Sequence, residues 1–429
     1  MLTSAEQKLR DAVNEANLVR FCQELVRIPT VNPYSGDQKP SGESAGLAYI
    51  EEYCRKYGAE IIRIPCDDAA CDRRDLLCPR GRQNENRENV AAKFVFGSGK
   101  GPVLMLDAHM DTVAAETFDG DPFSGELDEE GFIHGRGSSD DKSSVAVMME
   151  VIRILCEDPP AGLDGTLYCC FVTEEECDGS GRGSMACIDA LPRPDAAIVL
   201  DGGAHEVRSG SSGILTVRIE VPGKSGHAAY GAVSAIDQAL KLAPAFAKFK
   251  SLRPAGPGML NWGVFQAGNH PANVPELAVL GLNLRTLPED ADASEAKYGV
   301  RSARLVRELF ESCVAEIAAE DPFLKDNPPK IIWIKDLPGE DCYARETDYV
   351  HFVRDAWADA LGKVPPIAIL CGWGDLTHFI RAGIPSVGVG ASFPGAPHSA
   401  REKVRVQDLV DTARAATVCT ARFLQKRDR

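Results

Sequence analysis

Apolar positions along this chain follow two periods that alternate. Short apolar runs of strand length, "AAKFVF" (91–96), "PVLMLDAH" (102–109), "GTLYCCFVT" (165–173) and "DAAIVLDGG" (195–203), are bounded by Gly, Pro and Asp. Between them "KSSVAVMMEVIRIL" (142–155) carries the 3.6-residue period of a helix with a wide apolar face. Strands alternating with helices predict an α/β architecture whose sheet is largely parallel and flanked by helices, with ligands gathering at the carboxyl ends of the strands. The first 31 residues scatter charges among apolar residues at helical spacing, so they predict a surface helix and not a signal peptide.

Near Gly210 the pattern changes. The strand and turn "GILTVRIEVPGKSGHAAYG" (213–231) lead to a helical stretch at 232–249, the strand "LAVLGLNLRTL" (277–287), a long helical stretch at 295–319 and the strand "KIIWIKD" (330–336). This order predicts a separate α+β domain inserted into the first, with boundaries at 1–211, 212–336 and 337–429. The α/β signature resumes with a helix at 348–362 and strands in "PPIAILCGWGD" (365–375) and "PSVGVGAS" (385–392).

The chain has 429 residues, 44% of them hydrophobic, enough for a large core. Its formal net charge of −16 repels phosphate backbones and anionic lipid, which argues against nucleic acid and membrane surfaces as partners and leaves metal cations as natural ones. Fourteen cysteines without an export signal read as reduced thiols in a cytoplasmic protein. Cys66, Cys71 and Cys78 lie in a charged stretch with no paired C-x-x-C spacing, which reads as a surface excursion. Cys169 and Cys170 belong to a strand and read as core.

The chemistry lies at the strand ends. "LDAHMD" closes a strand on His109 and Asp111, and "GRGSSDDKSS" sets Asp140 and Asp141 before a helix, where Asp140 alone would read as an N-cap. "FVTEEECDGSG" places Glu174, Glu175 and Glu176 after a strand, "IVLDGG" ends on Asp201, and "FPGAPHSAREKV" carries His398. Crowded carboxylates at the ligand end of a sheet cost energy unless a cation or proton offsets them. Two histidines with three or four carboxylates form a donor set for two divalent ions bridged by one carboxylate. Mixed nitrogen and oxygen donors without thiolate favour zinc, with cobalt or manganese able to substitute.

These segments, with "GKSGHAAYGAVSAI" (223–236) and "NVPELAVLGLNLRTLP" (273–288), resemble in order the motif series of the dizinc amidohydrolases that include acetylornithine deacetylase, succinyl-diaminopimelate desuccinylase, aminoacylase, glutamate carboxypeptidase and bacterial dipeptidases. The resemblance implies one metal on His109 and Asp201, a second on Glu176 and His398, and Asp140 bridging both. It makes Asp111 the partner that orients His109, and Glu175 the general base. His227 would reach from a lid and dimerisation domain into a partner subunit's site to stabilise the oxyanion, and Arg285 and Asn273 would bind a substrate carboxylate. The implied activity is hydrolysis of an amide bond in an N-acyl amino acid or small peptide by a homodimer. A dedicated biosynthetic deacylase and a noncatalytic dimeric binding module are the alternatives.

The chain also departs from the family pattern. Glu-Glu-Glu stands where relatives have Asp-Glu-Glu, so Glu174 and Glu175 compete with Glu175 and Glu176 as the base and ligand pair. "CGWGD", with Asp375, replaces Gly-Thr-Ser-Asp, and the aspartate at 201 leans toward peptides.

Overall fold

The structure is a computed structural model, and it describes residues 1–82, 87–203, 205–227, 231–342, 347–391 and 397–425. The main sheet has nine strands, ordered Glu60–Pro65, Glu88–Phe96, Gly165–Val172, Val103–His109, Ala196–Leu200, Ser386–Val389, Val207–Ser211 and Glu340–Asp341, with Ile367–Leu370 also paired to Val207–Ser211. Its centre, from Gly165–Val172 to Ser386–Val389, is parallel; Glu60–Pro65 and Glu88–Phe96 are antiparallel additions at one side. The central strands are buried on both faces, which accounts for their unbroken apolar runs, and Cys169 and Cys170 are core as expected. Helices Glu15–Arg27, Lys142–Glu157 and Val406–Phe423 pack together beside the sheet.

A second, four-stranded antiparallel sheet is ordered Asn261–Ala267, Leu277–Thr286, Gly213–Pro222 and Lys330–Leu337. It has its own core: Leu215, Val217, Ile219 and Val221 point alternately to one face, where Phe246, Phe249 and Phe310 cover them. Burial alternates along Gly213–Pro222 because only that face is covered.

Several elements differ from the sequence pattern. The first 31 residues form two helices, Ser4–Asp11 and Glu15–Arg27, because Asn14 caps the second by accepting the Asn17 N–H. The stretch 232–249 breaks into Ala235–Leu240 and Ala243–Ser251, since Pro244 cannot continue a helix but suits the first turn of a new one. Gly299, at φ 75°, ends Pro288–Tyr298 before Arg304–Glu320 begins.

The Cys66 to Cys78 stretch exposes most of its charged residues, but two of its thiols are not incidental. Cys71 and Cys78 form a disulfide, so these two are not reduced thiols. Both are buried in a small cluster with Leu76, Met185 and Leu337, against which Ile214 and Trp373 pack. Charged residues tie the segment down: Arg74 pairs with Asp189 at 2.6 Å, and Arg182 donates a hydrogen bond to the Pro79 carbonyl at 2.5 Å. Among the described residues, no helix is long and apolar enough to cross a membrane.

Candidate metal centre

Adjacent parallel strands end at one place. Val103–His109 terminates on His109, Gly165–Val172 is followed by Glu174, Glu175 and Glu176, and Ala196–Leu200 by Asp201. His398 follows Ser386–Val389, with 392–396 outside the described residues. Asp140 enters from the loop before Lys142–Glu157; it is not the N-cap, a position taken by Asp141. Donor atoms of His109, Asp140 and Asp201 lie within 4.8 Å of one another, as do those of Asp140, Glu176 and His398, and those of His109, Glu175 and Glu176. Asp140 is shared by the first two groups: its Oδ1 is 2.9 Å from His109 Nε2 and its Oδ2 is 3.4 Å from His398 Nε2.

The histidines are aimed by their surroundings. His109 Nδ1 donates to the Asp111 main-chain carbonyl at 2.9 Å, which turns Nε2 toward the cluster; the Asp111 carboxylate itself is 3.6 Å away. That carboxylate accepts instead from Asn32 Nδ2 at 2.7 Å and from the N–H of Glu176 at 3.1 Å, so it braces the glutamate turn as well as the histidine's neighbourhood. His398 Nε2 is 2.7 Å from Glu176 Oε1.

Consecutive glutamates point different ways. Glu174, at φ 67°, turns from the cluster to Arg82 and Arg87, whereas Glu175 and Glu176 face it. The competing pairings are thereby separated in space, because Glu174 is occupied elsewhere.

The electrostatics call for cations. Burial, reinforced by neighbouring carboxylates, raises Glu175 well above the usual carboxylate range, and burial and Asp140 bring Glu176 to about 7. Burial works against protonation of His398, yet Asp140 and Glu176 outweigh it and push the imidazole up to about 11. Burial likewise opposes charging of Asp140, but His109 and His398 hold it below its ordinary value. Divalent ions on the same donors would offset the crowding of these carboxylates. With nitrogen and oxygen donors converging from separate, rigid elements, the residues fit a pair of such ions.

Support around the cluster includes residues whose role the sequence did not signal. Ser184 Oγ lies 2.9 Å from Asp107 Oδ1 and 2.6 Å from Asp375 Oδ2. The hydroxyl has one proton to donate between the two carboxyl groups, and burial raises both above the ordinary carboxylate range. Glu402 lies in the same motif as His398, the one hint that could have drawn attention to it. It pairs with buried Arg136 at 2.8 Å and accepts the N–H groups of Gly137, Ser139 and Asp140, each at 3.1 Å. It therefore fixes the loop that presents Asp140. Glu402→Ala is expected to cost about 3–5 kcal/mol by leaving Arg136 and those amides buried without their acceptor. Urea unfolding would measure it, and a loss below about 1 kcal/mol would contradict this role.

The remaining predicted residues stand apart from the cluster. His227 is exposed, opposite Asn273 in the short ladder Gly226–His227 with Asn273–Val274; 228–230 lie outside the described residues. Arg285 is half-buried and donates to Ser212 Oγ at 2.8 Å and the Pro257 carbonyl at 3.2 Å.

The chain is similar to known peptidases and deacylases. A deformylase of N-formyl-4-amino-5-aminomethyl-2-methylpyrimidine from Halalkalibacterium halodurans is 25% identical over 92% of both chains. A probable carboxypeptidase of Aspergillus terreus is 29% identical over 54% of this chain and 49% of its own, so the match spans about half of that relative. A succinyl-diaminopimelate desuccinylase of Stutzerimonas stutzeri is 29% identical over 33% of this chain and 40% of its own. Among solved structures, a tripeptidase of Staphylococcus aureus shares the fold with a TM-score of 0.69 at 20% identity, covering 96% of this chain and 99% of its own. A dipeptidase of Saccharomyces cerevisiae does so with a TM-score of 0.68 at 15% identity, covering 98% of each. The model of peptidase family M20/M25/M40 matches residues 105–420, and the chain belongs to that family.

Proposed function

We propose that this protein is a metal-dependent hydrolase that cleaves the amide bond of an N-acyl amino acid or a small peptide. One observation carries the reading: His109, Glu175, Glu176 and Asp201, at the ends of adjacent strands, converge with Asp140 and His398 from neighbouring loops in a chain of this family. His109 and Asp201 would hold one ion, Glu176 and His398 the other, with Asp140 between them. The ions, zinc by the donor set, would lower the pKa of a water and polarise the scissile carbonyl.

The chain's own residues supply the rest. Glu175 is the general base: it takes the proton of the attacking water and delivers it to the leaving amine. Its burial suits it to hold a proton in transit. The four-stranded body acts as lid and dimerisation domain. Its edge strand Asn261–Ala267 leaves Val264 and Phe265 43% and 42% exposed, a surface suited to a second copy. His227 and Asn273, side by side on an exposed ladder, would then meet the substrate across the dimer, with Arg285 near the joint between the two bodies.

A dedicated deacylase is the second reading, favoured by the likeness to a deformylase over nearly the full length of both chains. The test is amine release from N-formyl, N-acetyl and N-succinyl amino acids and from dipeptides, with zinc or cobalt added. Turnover of several dipeptides supports the peptidase, and turnover of one acyl class alone supports the deacylase. Silence from a protein holding both ions would remove both readings. Sedimentation of the same preparation is expected to give a dimer; a fully active monomer would end the role given to His227.

A further inference from the structure

We propose that Arg82, with Arg87 beside it, is a positioning residue for the second metal site, acting through Glu174 to hold the turn that presents Glu175 and Glu176. This rests on the metal-centre reading above. Glu174 is wholly buried. Its carboxylate takes a bidentate clasp from Arg82, Nε at 2.5 Å and Nη2 at 2.7 Å, and an ion pair from Arg87. Arg87 in turn meets Glu43 at 2.6 Å, so the buried charges balance.

The same guanidinium reaches the backbone beyond the glutamates, donating from Nη1 to the Cys177 carbonyl at 2.9 Å. It stacks 3.8 Å over the Tyr34 ring, which sets its plane. The turn needs such a restraint. Glu174, Cys177, Asp178 and Ser180 all have φ between 53° and 67°, a region unfavourable to residues other than glycine. Local bonds hold the backbone of the turn, from the Gly179 N–H to the Glu176 carbonyl and from the Gly181 N–H to the Glu174 carbonyl, each at 2.8 Å, and the clasp holds the Glu174 side chain out of the cluster.

Topology explains why distant arginines do this. Glu88–Phe96 runs antiparallel to Gly165–Val172 with Val90 opposite Phe171, so the chain just before Glu88 lies beside the glutamate turn. Arg82 follows the Cys71–Cys78 loop in the chain between Pro65 and Glu88, and Arg87 directly precedes Glu88, so both lie where they can hold the turn.

The test compares wild type, Arg82→Ala and Arg82→Lys, each stripped of metal and titrated with cobalt, with the visible absorption of each bound ion as the readout. Wild type is expected to take up two ions. In Arg82→Ala the ion held by Glu176 and His398 should bind at least tenfold more weakly, while the ion on His109 and Asp201 binds as before. Arg82→Lys, which keeps charge but loses the fork, should show the same selective weakening and serves if the alanine variant does not fold. Millimolar guanidinium should restore the second ion to Arg82→Ala, entering by the groove of about 1110 Å³ that Cys66, Arg82 and Arg87 line. Two ions bound with wild-type affinity and spectrum in a folded variant would overturn the proposal, as would equal weakening of both ions. A wild-type chain that takes up no cobalt would overturn the metal-centre reading, and this one with it.

Discussion

Glu175→Gln is expected to lower turnover by a factor of about a thousand, within the range a positioned general base contributes, while the protein still binds two ions. The substitution preserves shape and removes only the capacity to accept and return a proton. Glu175 is anchored through its own N–H, which points to Asp111 Oδ1 at 3.4 Å, and the amide leaves that contact in place. His109, Asp140, Glu176, Asp201 and His398 retain their donors, so metal content by mass spectrometry should match wild type. Turnover within tenfold of wild type would remove Glu175 as the base.

Asp140→Asn should fail in the opposite way, losing metal first and activity as a consequence. The two oxygens of Asp140 face different histidines, His109 and His398. An amide keeps one oxygen and places an NH2 group, a donor, where the other acceptor stood. Bound metal is expected to fall from two ions to one or fewer per chain, with turnover at background. The loop itself should survive, because Glu402 holds the main chain of Asp140 and not its side chain. Two ions bound at unchanged affinity would show that Asp140 does not bridge. Together the variants separate proton transfer from metal binding, which a loss of activity alone does not.

Much of this was legible in residue order. Apolar runs of strand length bounded by breakers marked the central strands, because strands buried on both faces are made mostly of apolar residues. Histidine and carboxylate placed after those runs marked the ligand end, since side chains leaving adjacent parallel strands converge there. Helix breaks were less legible: the apolar spacing over 232–249 and 295–319 continues through Pro244 and Gly299, and backbone conformation, not hydrophobicity, ended the helices. The pairing of Cys71 with Cys78 was also hidden, since seven residues of separation say nothing about whether a loop folds back on itself.

By itself, then, the sequence determined the α/β frame and the family and marked candidate metal donors, because these follow from local periodicity and from residue type. Only the tertiary structure decided which glutamate of three turns away from the cluster. Three identical side chains in succession have the same chemistry, and what distinguishes Glu174 is a pair of arginines brought from the connection that precedes another strand. The same holds for Glu402, whose importance lies in amides and a guanidinium more than 260 positions earlier in the chain. Such roles arise from contacts between distant segments, and those contacts exist only once the sheet has set its register.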